Sequence, residues 1–504
     1  MRPGRQGTET ETLEADKWGS PARLLPSRIG CFRGGECRLP DPHFSVFEVL
    51  VKTRVPVALD IENGPVHISW VIPDERPLTD SERRPTVPSA VGRLSEPAPR
   101  STSWLKRSVI YHVLIDRFYA SQGELRRTAR RHENEPVFCG GDLLGIAEKL
   151  PYLQELGITA LWVSPFTQNA ANPQAYHGYH TTDLFQVDAR FGGEAGLAAL
   201  IGAAKRAGIK LILDFVANHV HCDHPFFRDA ITGPNSEYRD WFCWDDQGRH
   251  LSFLHFRELP KLNLEHPAAR QQVIAAASHW VGQGIDGLRC DHALGPSLGF
   301  WSEFRRVLKM RAPNVALFGE VAFLGIRRDH LATMNLPNKE AHFLAQQQHR
   351  DVLEATMKEY VGVFDGLLDF QFQHLVKTHL AWPRGKPRSE ALQKLLDEHY
   401  AQYPDTCSLL SFLDNHDQPR FLFEARQRRD QLIAAARLQF QLPQPPVIYY
   451  GTEIGMTQAG AFSGDFGDVK CRRMMRWNQR DGEVWAEYRS LIAEWKRRFA
   501  RPAV

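Results

Sequence analysis

Asp414 and Asp417 bracket an amide and an imidazole in "FLDNHDQPR" (412–420), directly after the apolar "SLL". A carboxylate at the mouth of a buried strand is costly unless it has a partner or a task. Similar groups end other apolar runs: Asp116 and Arg117 close one, Asp214, Asn218 and His219 another, Arg289 and Asp291 a third, Glu320 a fourth, and His416 with Asp417 a fifth. Acids and bases converging from separate stretches would repel or desolvate one another if they served packing alone. A shared ligand accounts for them better.

The runs that end in these groups must position them. Eight segments of strand length are apolar or β-branched: "SVIYHVLIDRF" (108–118), "ALWVSPF" (160–166), "IKLILDFVANH" (209–219), "IDGLRCD" (285–291), "VALFGEV" (315–321), "GLLDFQF" (366–372), "SLLSFLDNHD" (408–417) and "PPVIYYGTEIG" (445–455). They alternate with longer amphipathic segments, as parallel strands buried on both faces do. In "SEALQKLLDEHY" (389–400) Leu392, Leu395, Leu396 and His399 form one helical stripe, and in "DQLIAAARLQF" (430–440) Leu432, Ala436 and Phe440 align before Pro443. The pattern predicts an α/β fold, a closed (β/α)8 TIM barrel over 104–504, with an open doubly wound sheet as the alternative. A barrel demands chemistry at the C-terminal ends of its strands, where these polar groups fall.

Segment 220–284, after the third barrel strand, is too long for one helix and reads as an inserted subdomain beside the site. Its aromatic-rich stretch 238–256, with Trp241, Phe242 and Trp244, suits either a wall of the cleft or a small core. Residues 1–72 stand outside the repeat; 44–72 alternates like a small β module, and the Pro-, Arg- and Ser-rich stretch 73–103 reads as a linker.

Composition sets the outer bounds. The 504 residues are 43% apolar and 24% charged, enough for a large core and more than one domain. Lys and Arg total 62 against 59 Asp and Glu, with no basic block dense enough for nucleic acid. No apolar run reaches the ~18 residues of a membrane helix, and the polar N-terminus has no signal-peptide core. The eight cysteines are scattered without a C-x-x-C spacing. Reduced thiols and a cytoplasmic location are expected; oligomeric state is not legible.

Four stretches, in order, resemble the signature of the α-amylase family of glycoside hydrolases: "DFVANH" (214–219), "GLRCD" (287–291), "GEV" (319–321) and "FLDNHD" (412–417). The resemblance covers roughly 105–500. It implies Asp291 as nucleophile, Glu320 as general acid/base and Asp417 as the carboxylate that binds sugar hydroxyls. Such chemistry needs one carboxyl ionised to attack the anomeric carbon and another protonated for the departing oxygen. Arg289, two residues before Asp291 and so on the same strand face, can pair with it, whereas Glu320 has no cation beside it in sequence. His219 and His416 resemble the family's hydroxyl-binding histidines, and His177 with Tyr179 in "YHGYH" its sugar-edge and ring-stacking pair. Asp214, Asn218 and Asp414 read as structural or supporting groups, Asp214 orienting Arg289. The Asn218 position binds calcium in many members; no Asp-rich loop accompanies it here, so calcium stays open and no other cofactor is implied.

"LPKLN" (259–263) is closer to the M-P-K-L-N of neopullulanases and cyclomaltodextrinases than to the Q-P-D-L-N of α-1,6-glucosidases. Leu294 and Gly295 stand where many members carry Lys-His, and Ala322 replaces the aromatic that commonly follows the acid, with Phe323 one further on. No C-terminal β-sandwich is expected in the fifty residues after "YYGTEIG". The resemblance implies a retaining hydrolase of α-glucosidic bonds in maltooligosaccharides, cyclodextrins or related glucans. The alternatives are an α-glucan transglycosylase and a non-catalytic glycan-binding or scaffold protein on the same barrel.

Overall fold

Apolar runs too short to shield both their faces alone close on one another into a ring. The protein is described from a computed structural model over residues 57–60, 67–70, 104–121, 132–322, 350–382, 389–462, 467–479 and 481–500. Phe323 and the linker reading at 73–103 lie outside those residues. The chain divides into two units, 1–96 and 97–504. In the first, β1 (Val57–Asp60) and β2 (His67–Trp70) pair antiparallel, Val57 opposite Trp70.

In the second unit the strands are β3 (Ile110–Val113), β4 (Ala160–Val163), β5 (Thr167–Asn169), β6 (Thr181–Val187), β7 (Lys210–Phe215), β8 (Ser252–Phe253), β9 (Phe256–Pro260), β10 (Gly287–Cys290), β11 (Ala316–Gly319), β12 (Gly366–Leu368), β13 (Leu409–Phe412) and β14 (Pro446–Tyr449). Eight of them, β3, β4, β7 and β10 to β14, form a closed parallel barrel in chain order, β14 pairing back onto β3. All eight lie inside the segments expected from the sequence, and the open sheet is excluded. Nearly every residue of these strands is buried, as a sheet covered on both faces requires.

Helices cover the outside. Leu143–Leu156 starts on Asp142, whose side chain accepts from the N–H of Gly145, and stops at Gly157 in the left-handed region (φ 97°). The stripes read at 389–400 and 430–440 are helices Ser389–Tyr400 and Arg429–Gln441, with Leu392, Leu396, His399, Leu432, Ala436 and Phe440 all buried. Gly482–Phe499 packs its Trp485, Tyr488, Ile492 and Trp495 inward, and the indole of Trp495 donates to the carbonyl of Leu442 at the end of the preceding helix (2.9 Å).

Of the segment 220–284, the last part is the regular barrel helix Pro267–Gln283. The irregular insertion is therefore shorter than the sequence reading. It carries helix Pro225–Ala230 and the hairpin β8–β9. Its aromatics pack on each other: Phe226 stacks on Tyr238 (4.5 Å), Phe227 meets Phe242 (4.9 Å), and the Arg239 guanidinium lies over Trp244 (3.2 Å). Trp241 meets Phe226 as well (5.0 Å), so all three aromatics pack on neighbours within the insertion, Phe242 buried and the two tryptophans half-buried at the margin of the core.

Candidate active site

Register brings the polar strand ends together. Arg289 on β10 lies opposite Asp214 on β7, and Cys290 lies opposite Gly319 on β11. Asp291 and Glu320, each one residue beyond its strand, therefore emerge side by side. The N–H of Glu320 continues the ladder to the carbonyl of Cys290 (3.0 Å).

Arg289 is fully buried and central. Its Nη1 donates to Asp214 Oδ1 (2.7 Å) and Asp291 Oδ1 (2.6 Å), while its Nη2 makes an ion pair with Glu320 Oε1 (2.6 Å) without hydrogen-bond alignment. The cation missing beside Glu320 in sequence is thus supplied in space, which sequence neighbours could not reveal. Asp214 is fixed on its other oxygen by the indole N–H of Trp162 (3.0 Å) and the hydroxyl of Tyr179 (2.8 Å). Three donors hold one buried carboxylate, and it in turn aims the guanidinium.

A second charged cluster faces the first. Asp417 Oδ2 lies 3.0 Å from His416 Nε2, and its Oδ1 accepts from Arg472 Nη2 (2.6 Å). Arg472 also donates to the carbonyl of His416 (2.8 Å) and pairs with Asp468 (2.7 Å). Tyr179 lies parallel to His416 (5.5 Å, 3°), its hydroxyl 2.6 Å from Nε2. Asp414, three residues away, accepts instead from the N–H of Phe421 and the hydroxyl of Thr452 (both 2.9 Å). It braces the loop and does not line the cleft.

The cleft has a volume of about 660 Å³. Asp291, Glu320, Asp417, His177, Tyr179 and His219 all line it, joined by His292, Arg472 and the hairpin residues Phe253 and Phe256. His177 Nδ1 accepts from the N–H of Tyr179 (3.0 Å), and His219 stacks on Phe253 (4.8 Å). Asp116 and Arg117, grouped with these residues in the sequence reading, lie elsewhere. Asp116 accepts from the N–H groups of Cys139 and Gly140 (2.8 and 2.9 Å) and pairs with Arg117 (3.2 Å). Arg472 sits in a stretch without a chemical motif; Trp162 was legible only as a residue of an apolar strand, and Phe253 and Phe256 only as members of the aromatic-rich stretch 238–256.

Burial raises the carboxyl groups of Asp291 and Glu320, against the pull of Arg289, and neighbouring carboxylates raise both further. The pair therefore retains a proton where ordinary carboxylates are ionised. The upward shift is the larger on Asp291, but the aligned guanidinium bond goes to Asp291 and the unaligned contact to Glu320, which favours charge on Asp291 and the proton on Glu320. Burial also opposes the charge on Asp417, but His416 and Arg472 override it and hold that carboxyl well below the usual range. Burial keeps His177 neutral and pushes His219 down to about 3. The site thus combines a proton-holding pair, a permanent carboxylate and neutral imidazoles.

Calcium at Asn218 does not fit these side chains. Asn218 Oδ1 accepts from the ammonium of Lys261 (3.1 Å), which also donates to the carbonyl of Gly295 (2.6 Å), so a cation already holds that oxygen. Elsewhere among the described residues, metal-ligating atoms of His221, Cys222 and Asp223 lie within 4.8 Å of one another. Asp223 is already paired with Arg228 (2.7 Å), and His221 Nδ1 accepts from the N–H of Asp223 (3.1 Å).

The α-amylase catalytic-domain model matches residues 112–252 and 247–490, which together contain all of the barrel strands but the first two residues of β3, and every cleft residue named above. The chain belongs to the α-amylase family. Alpha-amylase 2 of Dictyoglomus thermophilum is 33% identical over 70% of this chain and 56% of its own length, and neopullulanase 2 of Thermoactinomyces vulgaris is 29% identical over 96% and 78%. The latter match reaches into the first hundred residues, which the motif resemblance left out. A solved cyclomaltodextrinase superposes with a TM-score of 0.65 at 26% identity, covering 79% of this chain and 64% of that one. The chain thus spans between about half and three quarters of the length of these α-amylase-family proteins. No helix among the described residues is long and apolar enough to cross a membrane.

Proposed function

We propose that this α-amylase-family protein is a retaining hydrolase of α-glucosidic bonds in maltooligosaccharides, cyclodextrins or related glucans. The observation that carries the reading is the Asp291–Glu320 pair on one buried guanidinium. Asp291 attacks the anomeric carbon while Glu320 gives its proton to the departing oxygen, leaving a covalent glycosyl ester. Glu320, now ionised, takes a proton from water, whose oxygen forms the new bond at that carbon as the ester breaks and Asp291 recovers its charge. Asp417, ionised throughout, accepts hydrogen bonds from ring hydroxyls, and Tyr179 offers its face to the sugar.

A scaffold without catalysis is disfavoured because none of the three carboxylates is replaced. Transglycosylation uses the same intermediate and differs in what resolves it. The thiols Cys222, Cys243, Cys290 and Cys471 support a cytoplasmic setting, and the β1–β2 pair supports a separate small β module within 1–72.

Incubation with maltooligosaccharides, cyclodextrin, pullulan, sucrose and trehalose tests the function. Shorter α-glucans are the expected products; an absence of cleavage across the whole panel overturns the reading.

A further inference from the structure

The insertion touches the catalytic loops through a buried amine. Lys261 follows β9 and is buried. Its backbone is fixed on several sides: its N–H donates to Leu251, its carbonyl accepts from Cys243, and it bridges antiparallel to His219. The side chain is thereby aimed, and its ammonium joins Asn218 Oδ1 at the end of β7 to the carbonyl of Gly295 in the loop after Asp291.

That loop is unusually constrained. His292 lies in the left-handed region (φ 41°), a conformation that side chains other than glycine seldom adopt and that persists only where the surroundings enforce it. Gly295 donates its N–H to the carbonyl of His292 (2.9 Å), closing a tight turn. A Cβ at Gly295 would meet Asn218 Oδ1 at 2.0 Å, so the turn is pressed against the amide that Lys261 holds. The same conformation points the N–H of His292 at Glu320 Oε2 (3.1 Å), and the N–H of Ala293 at the carbonyl of Glu320 (3.0 Å). The acid/base candidate is thus oriented by the backbone of a turn whose far end is anchored by an amine from the insertion.

We propose that Lys261 is a positioning residue for Glu320: its ammonium clamps the Asp291–Gly295 turn and so keeps the His292 N–H on the Glu320 carboxylate. The assignment of Glu320 as acid/base rests on the function proposed above. The effect on proton affinity does not. The groups facing Glu320 are Arg289 and Asp291 from β10 and its end, and His416 and Asp417 from the loop after β13; Lys261 acts behind them through the turn. A backbone N–H donated to a carboxylate favours its ionised form. Losing that bond must raise the proton affinity of Glu320.

The test compares Lys261→Met with wild type in two readouts. In the first, kcat for maltotriose falls roughly ten- to hundredfold with KM little changed, as a misplaced proton donor predicts, and the basic limb of the pH profile moves to higher pH. In the second, the Glu320 side-chain carbon is titrated by 13C NMR in the ligand-free protein, and its midpoint moves up in the variant. Lys261→Arg, which keeps the charge and donors, recovers part of both. Should Lys261→Met not fold, Lys261→Gln supplies the same comparison. A folded variant whose Glu320 titration and pH profile match wild type overturns the proposal, whatever its melting temperature. If wild type cleaves no α-glucan, the function fails and the NMR titration alone still decides whether Lys261 sets Glu320.

Discussion

Arg289 Nη1 lies 2.6 Å from Asp291 Oδ1, a bond between two residues on one strand face that leaves the second terminal nitrogen for Glu320. One cation therefore serves three carboxylates, with Asp214 as the third. Removing it should cost both stability and turnover. Arg289→Met is expected to lose about 3 kcal/mol, because it strands buried charge, and to lose measurable activity. Adding Asp214→Asn should recover part of the stability and none of the activity, since Asp291 stays without its partner. Urea unfolding and kcat on maltotriose check both; a single variant of wild-type stability would contradict the charge accounting.

Asp291→Asn should abolish turnover while the fold persists. The amide keeps the shape and a contact to Arg289 but cannot form the glycosyl ester, and losses of many orders of magnitude are usual for such groups. Proton NMR of a fresh wild-type reaction should show the α-anomer first. An initial β-anomer, or substantial activity in the pure variant, would reject the pair as nucleophile and acid/base.

The pH dependence follows from the same geometry. Burial raises both members of the pair, and neighbouring carboxylates add to it: Glu320, Asp214 and Asp417 at Asp291, and Asp417 at Glu320. As pH falls, Asp291 takes up its proton earlier than an ordinary carboxylate, so the acid limb of kcat/KM lies unusually high. As pH rises, Glu320 keeps its proton past the ordinary range, so the basic limb is displaced upward as well. Asp417 contributes to the rise of both, so Asp417→Asn should move both limbs to lower pH while weakening binding. A wild-type optimum below about pH 4, the range of unperturbed carboxylates, would contradict this.

How far the sequence carries depends on whether a feature is local. The barrel was legible because each strand is a short apolar run with its polar groups at one end, and the signature stretches put Asp291, Glu320 and Asp417 on the page. What joins those residues was not. Arg472 reaches Asp417 across 55 positions from a stretch without a motif, and Lys261, though inside "LPKLN", reaches Gly295 across 34 positions with nothing in that motif to name its partner. The aromatics at 241–244 looked equally fit for a cleft wall, and only packing shows that they meet Phe226, Phe227 and Tyr238 within the insertion. The cleft takes Phe253 and Phe256 from the end of the same aromatic-rich stretch, on a hairpin whose two-residue first strand is too short for an alternation to register.

His399 offers a test of stability away from the cleft. It is buried between Glu354 (3.1 Å) and Asp369 (3.0 Å), and although burial opposes its charge, these carboxylates raise it to about 9. A group whose folded pKa is raised stabilises fully below its unfolded value, about 6.5, and loses that contribution as pH climbs through the folded value. Wild type should therefore lose up to about 3 kcal/mol between pH 6.5 and 9.5 from this residue. His399→Gln should lack that part of the decline, so the two stability curves converge at alkaline pH. Parallel curves would remove His399 from the account.

The last expectation concerns the substrate. The cleft is flanked by the β8–β9 hairpin, whose Phe253 and Phe256 stack 6.0 Å apart beside His219, and a further aromatic, Phe370, lines it from the end of β12. Rings stack on sugar faces, but a hairpin standing over the site also restricts a long chain that must thread past it. Short or cyclic glucans meet that restriction least, and the "LPKLN" stretch that begins in the last two residues of β9 resembles the oligosaccharide-acting subgroup. The expected order of kcat/KM places maltotriose and cyclodextrin above soluble starch. Phe256→Ala should narrow the gap, losing several-fold on maltotriose through weaker stacking while starch is spared or improves. A starch value well above both small substrates in wild type would show that the hairpin admits polymer, and would leave the preference for short glucans without support.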